Sequence, residues 1–235
     1  MVYKHDHINI KINLYRNNKT KSFEYKYIKR TESERPMALD VLLQAQENAL
    51  DDLAFRYGCR ARNCGVCTID VNNKPRLACR ARVKEGDTIS AIATLPKIKD
   101  LIVKRDSIAK QMIEYNKISS KNNFNVEADK TYHNLTSCIE CYACLNGCPL
   151  HEKNRYESKN NDEPYKYGNP FSLLKIQRLI IDPLTPEFEK SKLIEKAKDL
   201  GLEVCIDCPG CKCGVGINLK DEVIKPLLKK AYNIN

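Results

Sequence analysis

Twelve cysteines in 235 residues exceed what packing needs, and their spacing sorts them into three groups. The first is "CRARNCGVC", Cys59-x4-Cys64-x2-Cys67, with Cys79 following after a gap. The second, "CIECYACLNGCP", places Cys138, Cys141, Cys144 and Cys148 ahead of Pro149. The third, "CIDCPGCKC", packs Cys205, Cys208, Cys211 and Cys213 into nine residues. Thiols this dense either pair as disulfides or bind metal. The opening "MVYKHDHINIKINLYRNNK" has neither the apolar core of an export signal nor a twin arginine. No stretch approaches the ~18 apolar residues of a membrane-spanning helix. The expectation is a reducing compartment in which the thiols stay free to ligate metal.

Zinc is the plainest alternative, but structural zinc sites favour two close C-x2-C pairs. The first group instead has plant-type [2Fe–2S] spacing, three thiolates on one tight loop and a fourth, Cys79, from a neighbouring strand. Gly65 lets backbone approach the inorganic sulfides, and Arg60 and Arg62 either offset the anionic group or act as solubilising charge. The second group matches the bacterial ferredoxin run C-x2-C-x2-C-x3-C-P, whose fourth cysteine serves the other cluster of a two-cluster protein. By that rule Cys138, Cys141, Cys144 and Cys213 hold one [4Fe–4S] cluster. Cys205, Cys208, Cys211 and Cys148 hold a second, and three sets of four then use all twelve thiols.

Elements must position these groups. Ile8, Ile10, Ile12 and Leu14 alternate with polar residues, "RNNK" turns, and Phe23, Tyr25 and Tyr27 alternate again, a hairpin. "RPMALDVLLQAQENALDDLAF" carries Leu39, Leu42, Leu43, Gln46 and Leu50 at helical intervals, and "CTIDV" and "RLACRARV" read as strands joined by "NNKP". The resulting β-β-α-β-β order predicts a small α+β domain over residues 1–98. A lysine-rich connector with a helix, 99–128, leads to residues 129–235, where strand patterns vanish. "NPFSLLKIQRLIID" is a helix stopped by Pro183. "TPEFEKSKLIEKAKDLG" has Thr185 as N-cap, Pro186 in the first turn and Gly201 as its stop. "DEVIKPLLKKAY" is a third helix that Pro226 either begins or kinks.

In order and content, the chain resembles the iron–sulfur subunit of the succinate dehydrogenase and fumarate reductase family. "FRYGCRARNCGVC", "LACRARV" and "LPKIKDLIV" look like its N-terminal half, and "CIECYACLNGCP", "LLKIQRLIID" and "CGVGIN" like its C-terminal half. The resemblance implies a β-grasp plant-type ferredoxin domain followed by an all-α helical ferredoxin domain. It also implies an electron relay between an FAD-containing flavoprotein subunit and a membrane-anchor or cysteine-rich acceptor subunit. The implied setting is peripheral, on the cytoplasmic side of a membrane through partner subunits, with a place in the tricarboxylic acid cycle. The alternative is the iron–sulfur subunit of another flavoprotein oxidoreductase, such as a thiol-linked fumarate reductase.

Three departures from the family pattern stand out. The family usually lacks a cysteine at the place of Cys208, which leaves [3Fe–4S]; its presence here predicts four irons. Only Lys212 separates Cys211 from Cys213, and Gly214 replaces the usual proline. Quinone-reducing members carry a tryptophan soon after the ferredoxin run and a histidine after the first cysteine of the last. This chain has no tryptophan, Ile206 takes the histidine's place, and His151 matches neither.

The formal net charge of +10 suits an acidic partner or an anionic membrane face. No helix-turn-helix, RNP or finger pattern accompanies it, so nucleic acid is not an expected partner. With nine glycines and no G-x-G-x-x-G, the chain is not expected to bind the flavin. It shows no acid–base pair or nucleophile, so dicarboxylate catalysis is expected in the partner. His5, Asp6 and His7 read as exposed polar positions, and His133 as a surface histidine.

Overall fold

The computed structural model describes residues 6–115, 126–154, 165 and 167–234. The chain divides into two units, Met1–Lys104 and Arg105–Asn235.

In the first unit, strands β1 (His7–Arg16) and β2 (Lys19–Ile28) pair antiparallel from His7↔Ile28 to Arg16↔Lys19. Asn17 and Asn18 both take positive φ, 51° and 59°, the mirror-type turn whose twist matches the strands it joins. Ile8, Ile10, Ile12 and Leu14 are buried, as are Tyr25 and Tyr27. A second hairpin joins β3 (Thr68–Val71) to β4 (Lys74–Leu77) through Asn72 and Asn73, again at positive φ. Between the hairpins lies β5 (Thr88–Ser90), parallel to β1 and antiparallel to β3, giving the order β2-β1-β5-β3-β4. Helix α1 (Ala38–Asn48) buries Leu39, Val41, Leu42 and Ala45. Its Gln44 is bound to the end of β2, accepting from Ile28 N–H at 2.8 Å and donating to Ile28 C=O at 3.0 Å. A short pair, β6 (Lys97–Lys99) and β7 (Ile102–Val103), completes this β-grasp unit.

The structure corrects the sequence reading in several details. Of the residues at helical intervals α1 buries Leu39 and Leu42, adding Val41 and Ala45, while Leu43 and Gln46 are half-buried and Leu50 lies beyond its end at Asn48. "RLACRARV" is strand only to Leu77; beyond it Arg80 and Ala81 N–H both bond back to Leu77 C=O, which curls the chain. β5, β6 and β7 are additions to the expected order.

The second unit is helical: α2 (Asp106–Tyr115), α3 (Lys130–Thr136), α4 (Pro149–Asn154), α5 (Pro170–Ile181), α6 (Glu187–Asp199) and α7 (Lys225–Tyr232). Leu135, Leu173, Ile176, Ile180, Leu193, Ala197, Val223 and Leu227 form its core, and half-buried cysteines pack against them. Asn169 caps α5, accepting from Ser172 N–H at 2.9 Å, and Asp182 ends it just before Pro183. α6 begins after Pro186, not at Thr185: Thr185 is buried and its N–H bonds Asp182 C=O, so its side chain caps nothing. Gly201, at φ 85°, donates to Lys198 C=O and stops α6. Pro226 enters the first turn of α7 after a wide π turn, Lys220–Ile224, so the missing proline N–H is absorbed without ending the helix. At Gly168 the backbone passes so close to Leu200 that a Cβ would stand 2.2 Å from its carbonyl oxygen.

Candidate metal centres

The first cysteine loop is held at its base by Asp100, a fully buried carboxylate. Arg16 Nε and Nη2 reach Asp100 Oδ1 and Oδ2 at 2.6 and 2.9 Å, and Ala54 N–H reaches Oδ2 at 2.9 Å. Leu101 N–H bonds Ala54 C=O, so one residue ties the end of β1, the β6–β7 turn and the start of the loop. Within the loop Arg60, Arg62 and Gly65 take positive φ (53°, 65° and 66°). Backbone of alternating hand turns successive N–H groups toward one side, where they can face an anion. Two of them do so: Ala61 and Asn63 N–H each lie 3.3 Å from Cys59 Sγ. These bonds, Ala61 first, draw the exposed Cys59 thiol down to about 7. Gly58 leaves room for Cys64, since a Cβ there would stand 3.4 Å from its sulfur.

The fourth thiol comes from the segment after β4. Ala38 and Leu39 N–H, at the start of α1, bond Ala81 and Ala78 C=O and hold that segment in place. Cys79 is thereby set beside Cys67, and Cys64 stands within electrostatic reach of Cys67. Burial lifts the Cys67 thiol to about 11. Arg60 lies over the Tyr57 ring at 5.4 Å.

In the second unit, α3 delivers the chain to Cys138, capped by Asp129 Oδ1, which accepts from Tyr132 N–H at 2.8 Å. The run then winds through Glu140 (φ 54°), Tyr142 (φ 60°) and Gly147 (φ 74°), and Pro149 opens α4. The third run leaves α6 at Gly201, carries Cys205 on the 3-10 turn Leu202–Cys205 and doubles back at Gly210 (φ 117°). Its tail passes against the second run, since a Cβ on Gly214 would lie 3.7 Å from Cys141 Sγ and 3.3 Å from Ala143.

That crossing sorts the eight thiols into two neighbourhoods. Cys213 acts electrostatically on Cys138, Cys141 and Cys144. Cys148, by contrast, acts on Cys205 and Cys211, and Cys208 acts on all three. The two neighbourhoods adjoin at Cys144 and Cys211. Burial raises the Cys138, Cys141 and Cys148 thiols, raises Cys144 strongly, and lifts Cys205 and Cys211 to about 12. Thiols raised this way hold their protons at neutral pH, so a metal bound there would displace them.

The donor sets fit iron–sulfur groups. Every donor is a free thiol, and they come as a tight run plus a thiol from elsewhere in the chain, the ligand type and grouping that iron–sulfur clusters use.

The structure also brings forward residues that spacing did not single out. Lys175, buried on α5, pairs with Glu140 Oε1 at 2.6 Å. Phe171, one turn earlier, packs against Tyr142 with ring centres 5.0 Å apart and the rings tilted by 58°. Of the histidines, His133 is exposed and edge-on to Tyr132, and His151 is buried with Nδ1 3.1 Å from Tyr165 Oη. Asp6 pairs with Lys29 at 2.6 Å and accepts His7 N–H, while His5 lies outside the described residues.

A family model described as a 2Fe-2S iron-sulfur cluster binding domain matches residues 9–110. One subunit of the fumarate reductase (CoM/CoB) of Methanothermobacter marburgensis is 28% identical over 201 residues, 83% of this chain and 38% of that one. The fumarate reductase iron-sulfur subunit of Escherichia coli O6:H1 is 30% identical over 123 residues, 47% of this chain and 50% of that one. A chain of the Mycobacterium smegmatis Sdh1 complex in the apo form shares the fold, with a TM-score of 0.80 at 20% identity over 97% of both chains. The first unit thus matches a [2Fe–2S] domain, and the chain as a whole is similar to iron–sulfur subunits of fumarate reductase and shares the fold of a chain of an Sdh1 complex. It spans 38% of the length of the first relative and half of the second. Where quinone-reducing members of the family carry a histidine, Ile206 is 44% exposed beside the half-buried Cys205. Among the described residues no helix is long and apolar enough to cross a membrane.

Proposed function

We propose that this chain is the iron–sulfur electron-transfer subunit of a succinate dehydrogenase or fumarate reductase complex. It relays single electrons between an FAD-containing flavoprotein subunit and a membrane-anchor or cysteine-rich acceptor subunit, at the membrane face through those partners. Cys59, Cys64, Cys67 and Cys79 would hold [2Fe–2S]. Cys138, Cys141, Cys144 and Cys213 would hold one [4Fe–4S], and Cys148, Cys205, Cys208 and Cys211 another. When bound, such clusters take up and release one electron at a time, which links the two-electron chemistry of a flavin to a distant acceptor.

The observation that carries the reading is the exchange of thiols between the second and third runs: Cys213 lies among the second run's thiols and Cys148 among the third's. The chain's own residues supply the rest. Ala61 and Asn63 N–H groups stabilise the Cys59 thiolate. Val215 N–H donates to Sγ of the exchanged ligand, Cys213, at 3.4 Å. The helical core keeps water from one side of both four-thiol sets. Dicarboxylate chemistry belongs to the flavoprotein, and succinate oxidation and fumarate reduction use the same relay in opposite directions.

A second reading, the iron–sulfur subunit of a thiol-linked fumarate reductase, is favoured by the 83% of this chain that aligns with the CoM/CoB enzyme's subunit and by the absence of tryptophan. Anaerobic purification of the complex tests both. About ten irons per chain, with EPR signals of one [2Fe–2S] and two [4Fe–4S] clusters, are expected. Zinc, or an oxidised [3Fe–4S] signal from intact protein, overturns the cluster assignment. Electron delivery to a quinone analogue separates the first reading from delivery to a thiol–disulfide pair.

A further inference from the structure

We propose that Lys175 sets the reduction potential of the cluster held by Cys138, Cys141, Cys144 and Cys213, with Glu140 as its opposing charge. The proposal rests on the cluster assignment above. Lysine is almost never buried without a partner, because its ammonium loses the water that solvates it. Lys175 nonetheless occupies the inward side of α5 at 9% exposure, among Leu173, Leu174 and Ile176. It lies 5.1 Å from the centre of the Phe171 ring and 2.6 Å from Glu140 Oε1. Glu140 stands between Cys138 and Cys141 at φ 54°, with its carboxylate half exposed.

The pair is therefore built into the metal-binding loop itself. Burial dominates the Cys138 thiol and raises it, while Glu140 N–H and then the Lys175 ammonium pull the other way. Behind the loop, Phe171 packs on Tyr142, and Arg105 covers that tyrosine ring at 5.5 Å. The cation is thus held against the loop on its protein side, while Glu140 faces water. A cluster that accepts one electron gains one negative charge, and a desolvated cation beside it favours that reduced form. The carboxylate, better screened by solvent, opposes it more weakly.

The test is a mediated redox titration of the cluster-loaded full chain, followed by EPR, with the [2Fe–2S] signal as internal reference. Lys175→Met should retain its iron and make one four-iron step harder to reduce by about tenfold, 59 mV for one electron. Lys175→Arg should restore the parent value. Glu140→Gln should shift the same step the opposite way by a smaller factor. Opposite signs are the signature of charge, since loosening of the loop would move both variants together or release iron from both. Equal signs, or an unmoved step in iron-replete Lys175→Met, overturn the proposal. If Lys175→Met loses iron, Glu140→Gln decides, and an unchanged or lowered potential there overturns it. A parent chain lacking the two [4Fe–4S] signals fails earlier, by iron count, and defeats the assignment on which the proposal depends.

Discussion

The two units hold the same ligand, cysteine, in different ranges of solvent: the first spans from the exposed Cys59 to the buried Cys67, and the second has no exposed thiol. In the β-grasp unit Cys59 is exposed and held near neutrality, at about 7, by two backbone N–H groups. In the helical unit Cys205 and Cys211 are pushed to about 12 by burial and by each other's neighbourhood. The first site stabilises one of its thiolates with fixed dipoles before any metal arrives. Its buried Cys67 and the thiols of the helical unit would leave that work to the metal. Backbone of alternating hand can substitute for charge where the chain lies on the surface, but a buried set of like-charged thiolates requires cations.

The sharpest break of this comparison is alkylation of iron-free, fully reduced chain at pH 7. Cys59 should react first, with Cys205 and Cys211 slower by roughly a hundredfold or more, as mass spectrometry of timed quenches would show. Equal rates would erase the contrast. Next, Cys213→Ser should degrade one [4Fe–4S] signal and leave [2Fe–2S] intact, whereas loss of the [2Fe–2S] signal would contradict separate sites. Asp100→Ala removes the carboxylate that Arg16 and Ala54 N–H share, and should cost the first unit about 2–3 kcal/mol in thermal unfolding. Gly168→Ala should cost the second unit about 2 kcal/mol, since Leu200 C=O must move aside.

The smallest effect concerns Asp70. Burial raises its carboxyl above the ordinary 3.8, and Ala93 N–H only partly offsets this. A raised carboxyl binds its proton more tightly when folded, so the stability it contributes is full below 3.8 and is lost as pH rises through the folded value. Asp70→Asn should therefore be the more stable protein at pH 7, with the gap narrowing as pH falls toward 3.8 in urea titrations. A gap that widens on acidification would reverse the sign.

The cysteine runs and the long elements were legible in the sequence because both obey spacing rules. Asn17–Asn18 and Asn72–Asn73 announced their turns, since asparagine tolerates the left-handed backbone that such turns need. β5 was not legible, because Thr-Ile-Ser is too short for a period and is strand only through β1 and β3 on either side. Asp100 and Lys175 were invisible for a different reason. A charged residue reads as surface unless its partner is known, and Arg16 lies 84 residues from Asp100 and Glu140 35 from Lys175. Thr185 shows the converse, a residue of good capping type whose side chain was needed in the interior.

The exchange of thiols between the two later runs bears on the order in which the protein is made. The set that ends with Cys79 is complete before the first thiol of the second run has left the ribosome. Neither of the others is complete until residues 211 and 213 have been added. On the proposed ligand sets, iron delivery to the helical unit would wait on its final cysteines, and a nascent chain stalled ahead of Cys211 would carry unfinished halves of both remaining centres.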